Sequence, residues 1–218
     1  MNLRLLPLGP YEANCILVSD NDGLTLVIDP GFDACELNNV LGQEQLTVAA
    51  YLLTHGHADH VSALYALWKQ RPAPVLIHPG DTEWTFTPLN ELLPHYPATR
   101  RPDGPYPVVQ DGTTFTFGTM DFRIIATPGH TPGCICYYFE KDGILVTGDT
   151  LFQDSVGRTD LPGGSSRTLS ESLLKLAALP PAVKVIPGHG DSTTIGDELR
   201  TNFFMLQAAK TLARRRSS

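Results

Sequence analysis

Three histidines and an aspartate fall within six residues in the stretch Thr54-His55-Gly56-His57-Ala58-Asp59-His60. Neutral imidazole and carboxylate are the usual protein ligands of zinc, manganese and iron. A polar surface turn would carry one such group; four at this spacing point to a metal centre. The same residue types recur singly at three distant places: His130 in Pro128-Gly129-His130, Asp149 in Gly148-Asp149-Thr150, and His189 in Pro187-Gly188-His189-Gly190. Each alone reads as an ordinary turn residue. Together the seven side chains could hold two cations that share one carboxylate. His78 and His95 lack this company. His78 ends an apolar run and reads as a hydrogen-bonded structural histidine, and His95 sits in a Pro-rich stretch and reads as exposed.

Rigid elements must bring these points together. Val48 to Leu53 is a continuous apolar run that reads as a buried strand ending at the histidine cluster. Val61, Leu64, Leu67 and Trp68 follow at helical spacing, so a helix to about Arg71 is expected. Residues 2–8, 13–19 and 24–28 read as strands, with Asn21-Asp22-Gly23 as a hairpin turn between the last two. Asp33 and Glu36 form a capping box for a short helix carrying Leu37, Val40 and Leu41. Residues 75–78 read as another strand. Pro88, Pro94, Pro97, Pro102, Pro105 and Pro107 break the segment 79–107 into short helices and a surface loop. Alternation returns at Phe115, Phe117, Phe122 and Ile124, a hairpin ending near His130. Cys134 to Glu140 and Ile144 to Thr147 make a second hairpin, which ends at Asp149. A Gly-rich loop over 153–166 leads to a helix with Leu169, Leu173 and Leu176 inward and a capping box at Thr168 and Glu171. Val183 to Ile186 is the last strand, delivering His189. A final helix over 196–214 carries Leu199, Phe203 and Leu206, and the tail from Arg214 to Ser218 reads as solvated and frayed. Two sheets with helices outside satisfy this order of elements. Flanking glycines at 56, 129, 148 and 188 let the backbone turn sharply at each chemical residue.

Length and composition fit a globular chain of 218 residues with 42% hydrophobic and 18% charged residues. A formal charge of −7 argues against a nucleic-acid partner, which a basic face would serve. No run is long enough to span a membrane, and the opening Met1 to Leu8 has neither the apolar length nor the cleavage site of a signal peptide. A cytoplasmic protein is expected. Cys15, Cys35, Cys134 and Cys136 do not form a disulfide framework and read as reduced thiols.

The motifs Asp29-Pro30-Gly31, Thr54-His55-x-His57-x-Asp59-His60, Pro128-Gly129-His130-Thr131-Pro132-Gly133, Gly148-Asp149-Thr150 and Pro187-Gly188-His189-Gly190 resemble those of the metallo-β-lactamase superfamily. The resemblance implies an α/β chain folded as an αββα sandwich, one domain over 1–218. By that pattern His55, His57 and His130 bind a first cation, Asp59, His60 and His189 bind a second, and Asp149 bridges them. Asp29 steadies the ligand turn. The pattern implies two divalent ions, zinc first, with iron or manganese as alternatives. Within the superfamily, Gly148-Asp149-Thr150-Leu151-Phe152, Gly157-Arg158-Thr159-Asp160 and the run from Pro187 to Gly196 resemble the glyoxalase II-like branch. The implied activity is hydrolysis of S-lactoylglutathione or a related acyl thioester by a hydroxide held between the cations and oriented by Asp59. Arg158 either meets a substrate carboxylate or pairs with Asp160 or Asp154. Cysteine commonly replaces the bridging aspartate in true β-lactamases of this fold, which argues against that activity. Full-length glyoxalase II carries an additional helical domain for glutathione; the sequence after His189 has room for one helix, so the chain resembles the shorter members. Rival readings are a persulfide dioxygenase holding one iron through His55, His130 and Asp149, a lactonase, and a non-catalytic metal-binding module. The expected partner is a small-molecule thioester, with the chain a monomer or homodimer and no nucleic acid or membrane involved.

Overall fold

Alternation along the buried strands sorts their side chains between two faces, and both faces are apolar. In a computed structural model, which describes residues 1–217 and side chains through Arg214, β1 (Asn2–Leu8), β2 (Ala13–Ser19), β3 (Leu24–Ile28), β4 (Thr47–Leu52) and β5 (Val75–Leu76) form one sheet in that order. The first three strands are antiparallel; β3, β4 and β5 run parallel. Crossover helices join the parallel strands: α1 (Ala34–Gln43) between β3 and β4, then α2 (Ala58–Val61) and α3 (Leu64–Gln70) before β5. After α4 (Pro79–Thr85) and a 3₁₀ turn at Pro88–Asn90, the chain enters a second sheet. Its strands are β6 (Thr114–Phe117), β7 (Met120–Ala126), β8 (Ile135–Phe139), β9 (Ile144–Gly148), β12 (Lys184–Pro187) and β13 (Thr193–Thr194). Their spatial order is β13-β12-β9-β8-β7-β6, with β9 and β12 parallel and every other pair antiparallel. A small hairpin, β10 (Leu151–Phe152) with β11 (Ser155–Val156), and α5 (Ser166–Ala177) lie between β9 and β12.

The layers follow from the period of two. Ile16, Val18, Leu26, Ile28, Ala50 and Leu52 face Phe122, Ile124, Tyr137, Val146 and Ile186 across the space between the sheets. Their neighbours Leu17, Val27, Tyr51 and Leu53 turn outward onto Leu37, Leu41, Leu64 and Leu67 of α1 and α3. On the other side Leu145 and Val185 meet Leu173 and Leu176 of α5 and Met205 beyond it. The result is the αββα sandwich.

Three elements differ from the sequence reading. The helix after the histidine cluster is two helices, broken at Ser62-Ala63, where Ala63 N–H donates to Pro30 C=O at 3.1 Å. The cap of α5 is Ser165, one turn before the expected Thr168–Glu171 box: its Oγ accepts from Thr168 N–H at 3.2 Å. The final helix is also two, α6 (Ile195–Thr201) and α7 (Phe203–Ser217). Asn202 is extended between them, and its Oδ1 accepts from Phe204 N–H at 2.9 Å, so it caps α7. The break changes which face is buried. Met205 and Ala208 turn inward, while Phe203 is 64% exposed. The backbone is helical to Ser217 where a frayed tail was expected; Ser218 and the side chains of 215–217 lie outside the described residues.

Candidate metal centre

Five of the seven candidate ligands follow the ends of strands along one edge of the sandwich, and Asp59 and His60 stand on the short helix that continues the first turn. β4 delivers His55 and His57 in the turn before α2, and α2 carries Asp59 and His60. The β7–β8 turn holds His130; β9 and β12, adjacent and parallel, end at Asp149 and His189. Gly188 is required at this junction: a Cβ there would lie 2.3 Å from Asp149 Oδ1 and 2.8 Å from the His60 ring. Gly148 has φ +48°, and a Cβ on it would strike Thr54.

The donor atoms of the seven candidates fall into two groups, and a third set that joins Asp29 to His55 and His60 overlaps both. One nitrogen from each of His55, His57 and His130 forms the first. One atom from each of Asp59, His60 and His189 forms the second, the atoms of each group lying within 4.8 Å of one another. Asp149 spans the two: Oδ2 is 3.5 Å from His130 Nε2 and 3.7 Å from His189 Nε2, and Oδ1 is 3.4 Å from His60 Nε2. The site is buried at its base and partly open at its rim, where His57, Asp149 and His189 are half-buried. His55, His60 and His130 are no more than 3% exposed, and Asp59 is 8% exposed.

Backbone and carboxylate acceptors set the tautomers. His130 Nδ1–H donates to Arg158 C=O at 2.7 Å, and His189 Nδ1–H to Tyr11 C=O at 2.9 Å. His60 Nδ1–H donates to Asp29 Oδ2 at 3.0 Å. Each of these rings therefore turns Nε2 toward the centre, the nitrogen left bare when the ring is neutral. His60 Nε2 then faces His189 Nε2 at 3.2 Å, and His130 Nε2 faces His57 Nδ1 at 2.9 Å. Lone pairs so close in a buried site need a proton or a cation between them. His55 Nε2 and Asp149 Oδ1 are buried with no hydrogen-bond partner, so they too await one. On donor chemistry and on these orphaned atoms, the residues fit a pair of divalent cations.

The protonation balance of the metal-free chain follows the same geometry. Burial, and then the neighbouring imidazoles, hold His55 well below its ordinary value. Burial and then His130 bring His57 down to about 3. Burial also pulls His60 down, but Asp59, then Asp149 and Asp29, outweigh it and raise it to about 10. For Asp59, burial pushes the carboxyl up, while His60, His189 and His57 more than offset that and hold it below the usual carboxylate range.

Asp29 lies under the ligand turn, with φ +50°. Its Oδ1 accepts from Thr54 N–H at 2.8 Å, and its Oδ2 from Thr54 Oγ1–H at 2.6 Å as well as from His60. Arg158 stands with its guanidinium on Asp160, at 2.7 and 2.8 Å. What it brings to the centre is its backbone carbonyl. His78 caps α4, accepting from Gly80 N–H at 3.1 Å, and His95 is exposed. Burial pushes the thiols of Cys15, Cys134 and Cys136 up, the last to about 12, so none of these three is a nucleophile at neutral pH.

Several contributors escaped the sequence reading. Asn14 Nδ2 donates to Pro187 C=O and Gly190 C=O, both at 3.0 Å, clamping the His189 turn. Trp84 lies 5.4 Å from the His57 ring, and Phe152 lies 6.2 Å from that of His189. Asp81 is fully buried and accepts from Gly56 N–H, Gly133 N–H and Thr131 Oγ1–H. Its place in the first turn of α4 is where an exposed acid is ordinarily found, so position alone gives no signal.

Comparison with known proteins agrees with this geometry. The sequence model of the Metallo-beta-lactamase superfamily matches residues 8–189. Hydroxyacylglutathione hydrolase GloC of Haemophilus influenzae is 35% identical, over 94% of this chain and 98% of its own. Among solved structures, BLEG-1 B3 metallo-beta-lactamase is 38% identical with a TM-score of 0.87, covering 94% of this chain and 99% of that one. TTHA1623, solved in a di-iron-bound form, is 35% identical with a TM-score of 0.79, over 92% and 99%. ETHE1 from Myxococcus xanthus is 26% identical with a TM-score of 0.77, over 97% and 91%.

Proposed function

Because the chain belongs to the metallo-beta-lactamase superfamily, we propose that it is a dinuclear metal hydrolase acting on acyl thioesters in the manner of glyoxalase II, with S-lactoylglutathione or a related thioester as substrate. The observation that carries this reading is the end-to-end similarity to a relative named hydroxyacylglutathione hydrolase, at 98% coverage of that relative. The two donor groups bridged by Asp149 support it.

His55, His57 and His130 would hold one cation, Asp59, His60 and His189 the other, and Asp149 both. When bound, such cations supply Lewis acidity toward a carbonyl oxygen and acidify a water at neutral pH. The protein's own part is orientation. Asp29, Arg158 C=O and Tyr11 C=O fix three imidazoles in the tautomer that can donate a lone pair. Asp59 stays ionised at neutral pH beside His189, 3.3 Å away, so its carboxylate can align a water and accept its hydrogen bond. Burial of His60, His130 and Asp59 strengthens the interactions these groups make. A thiolate leaves readily, so the absence of a positioned general acid from the geometry described is no obstacle.

The test is turnover by the metal-loaded chain of S-lactoylglutathione, of glutathione persulfide and of a β-lactam in parallel. Thioester hydrolysis without oxygen uptake supports the reading. One iron per chain with stoichiometric oxygen consumption on the persulfide overturns it, as does lactam hydrolysis with no thioesterase activity; the ETHE1 and B3 metallo-beta-lactamase neighbours make both assays necessary.

A further inference from the structure

We propose that Asp81 is the positioning residue of the first cation site, tying together the two turns that carry His55, His57 and His130; the inference rests on reading those three imidazoles as a cation site. Asp81 touches none of them. Its Oδ2 accepts from Gly56 N–H at 2.9 Å and from Thr131 Oγ1–H at 2.6 Å, and its Oδ1 accepts from Gly133 N–H at 2.7 Å. Gly56 lies between His55 and His57, and Thr131 follows His130. One carboxylate therefore spans segments 25 and 50 residues away in the chain, at the point where they must meet within a few ångströms. The two sheets are already joined nearby, where Ile135 N–H donates to Thr54 C=O at 2.9 Å. Asp81 extends that junction outward to the ligand turns.

The surroundings are shaped for this group. Both backbone donors belong to glycines pressed against α4. A Cβ on Gly133 would lie 2.5 Å from Asp81 Cγ, and one on Gly56 would lie 2.0 Å from Thr85 Oγ1. Thr85 Oγ1–H in turn donates to Asp81 C=O at 2.7 Å, and Asn90 Nδ2 holds Gly56 C=O at 2.7 Å. Three donors converge on one side chain, so an acceptor-only carboxylate satisfies all of them, while an amide of the same shape turns N–H groups on at least one. Asp29 makes a useful contrast. It bonds the His60 ring directly and serves the second group, whereas Asp81 acts through backbone and serves the first.

The experiment is zinc titration by calorimetry of wild type, H57A, D81N, T131V and T131S, with circular dichroism and thermal melting on each metal-free chain. In D81N the site that H57A removes should bind zinc about 10–100-fold more weakly, the effect usual for a group that orients metal ligands, with the other site unchanged. T131V should show a smaller loss at the same site, and T131S should match wild type. A merely structural role would lower the melting temperature and weaken both sites alike. That result overturns the proposal, as does D81N binding zinc like wild type. If D81N does not fold, T131V decides: a weakened first site supports the proposal and an unchanged one overturns it. Wild type taking up no zinc, iron or manganese refutes the cation reading beneath it.

Discussion

Replacing Asp29 with Asn should disable one cation site through a tautomer, leaving the fold in place. Asn tolerates the left-handed backbone that Asp29 adopts at φ +50°, so the substitution tests the carboxylate alone. In the native chain Oδ1 accepts from Thr54 N–H, and Oδ2 accepts from both Thr54 Oγ1–H and His60 Nδ1–H. If the amide keeps its oxygen on Thr54 N–H, its NH₂ group faces Thr54 Oγ1 and His60 Nδ1. The hydroxyl can rotate and accept. The imidazole can accept only by moving its proton to Nε2, the atom that faces His189 at 3.2 Å. A protonated Nε2 cannot ligate. Loss of one hydrogen bond to a buried charged group costs about 1.5–3 kcal/mol. For a chain of this size that lowers the melting temperature of the metal-free protein by about 3–12 °C. Zinc affinity at the site containing His60 should fall by about 10–100-fold, with the His57 site retained. Calorimetry reads the affinity, and nitrogen-15 imidazole NMR reads the tautomer. Unchanged affinity at both sites, with His60 Nδ1 still carrying its proton in D29N, would refute the reasoning.

Three further outcomes follow from the same geometry. Near neutral pH the metal-free chain holds a proton on His60, raised to about 10, while His57, lowered to about 3, is already neutral; zinc binding at pH 7.5 should therefore release protons, measurable as a dependence of calorimetric heat on buffer ionisation enthalpy. Between 6.5 and about 10 the folded metal-free chain binds one more proton at His60 than the unfolded chain, so stability falls as pH rises through that window; between about 3 and 6.5 the unfolded chain binds the extra proton at His57, so stability falls as pH drops. These two groups place the optimum of the metal-free protein near 6.5, and denaturant midpoints across pH test it. Glu198 is fully buried and accepts from Asp154 N–H, Thr193 Oγ1–H and Asn202 Nδ2–H. E198A leaves those donors unpaired and should destabilise the fold by about 3 kcal/mol or more, seen in urea melts, with metal content unchanged.

Much of the centre is legible in the sequence because its residues are local signals. His55 to His60 sit in one turn, and His130, Asp149 and His189 each follow a strand and a glycine. The layers are legible for a similar reason, since Leu17 and Ile16, or Tyr51 and Leu52, alternate between two apolar faces with nothing left for solvent. What stays hidden depends on long-range contacts. Asp81 looks like a first-turn helix acid until Gly56 and Gly133 close over it. Asn14 looks like a polar strand residue until the His189 turn docks on it. The break at Asn202 follows from its bond to buried Glu198 at 2.8 Å, which apolar spacing cannot register. Arg158 pairs with Asp160, one of the two roles its sequence context offers, but that its carbonyl oxygen meets the centre has no signal in the sequence.

The most direct measurement is the metal content of the purified chain, by mass spectrometry of the elements, in wild type and H57A prepared side by side. Two equivalents of divalent metal per wild-type chain, falling to one in folded H57A, is the expected result. A wild-type chain that keeps no metal after loading with zinc, iron or manganese, or an H57A chain that keeps both equivalents, contradicts the account.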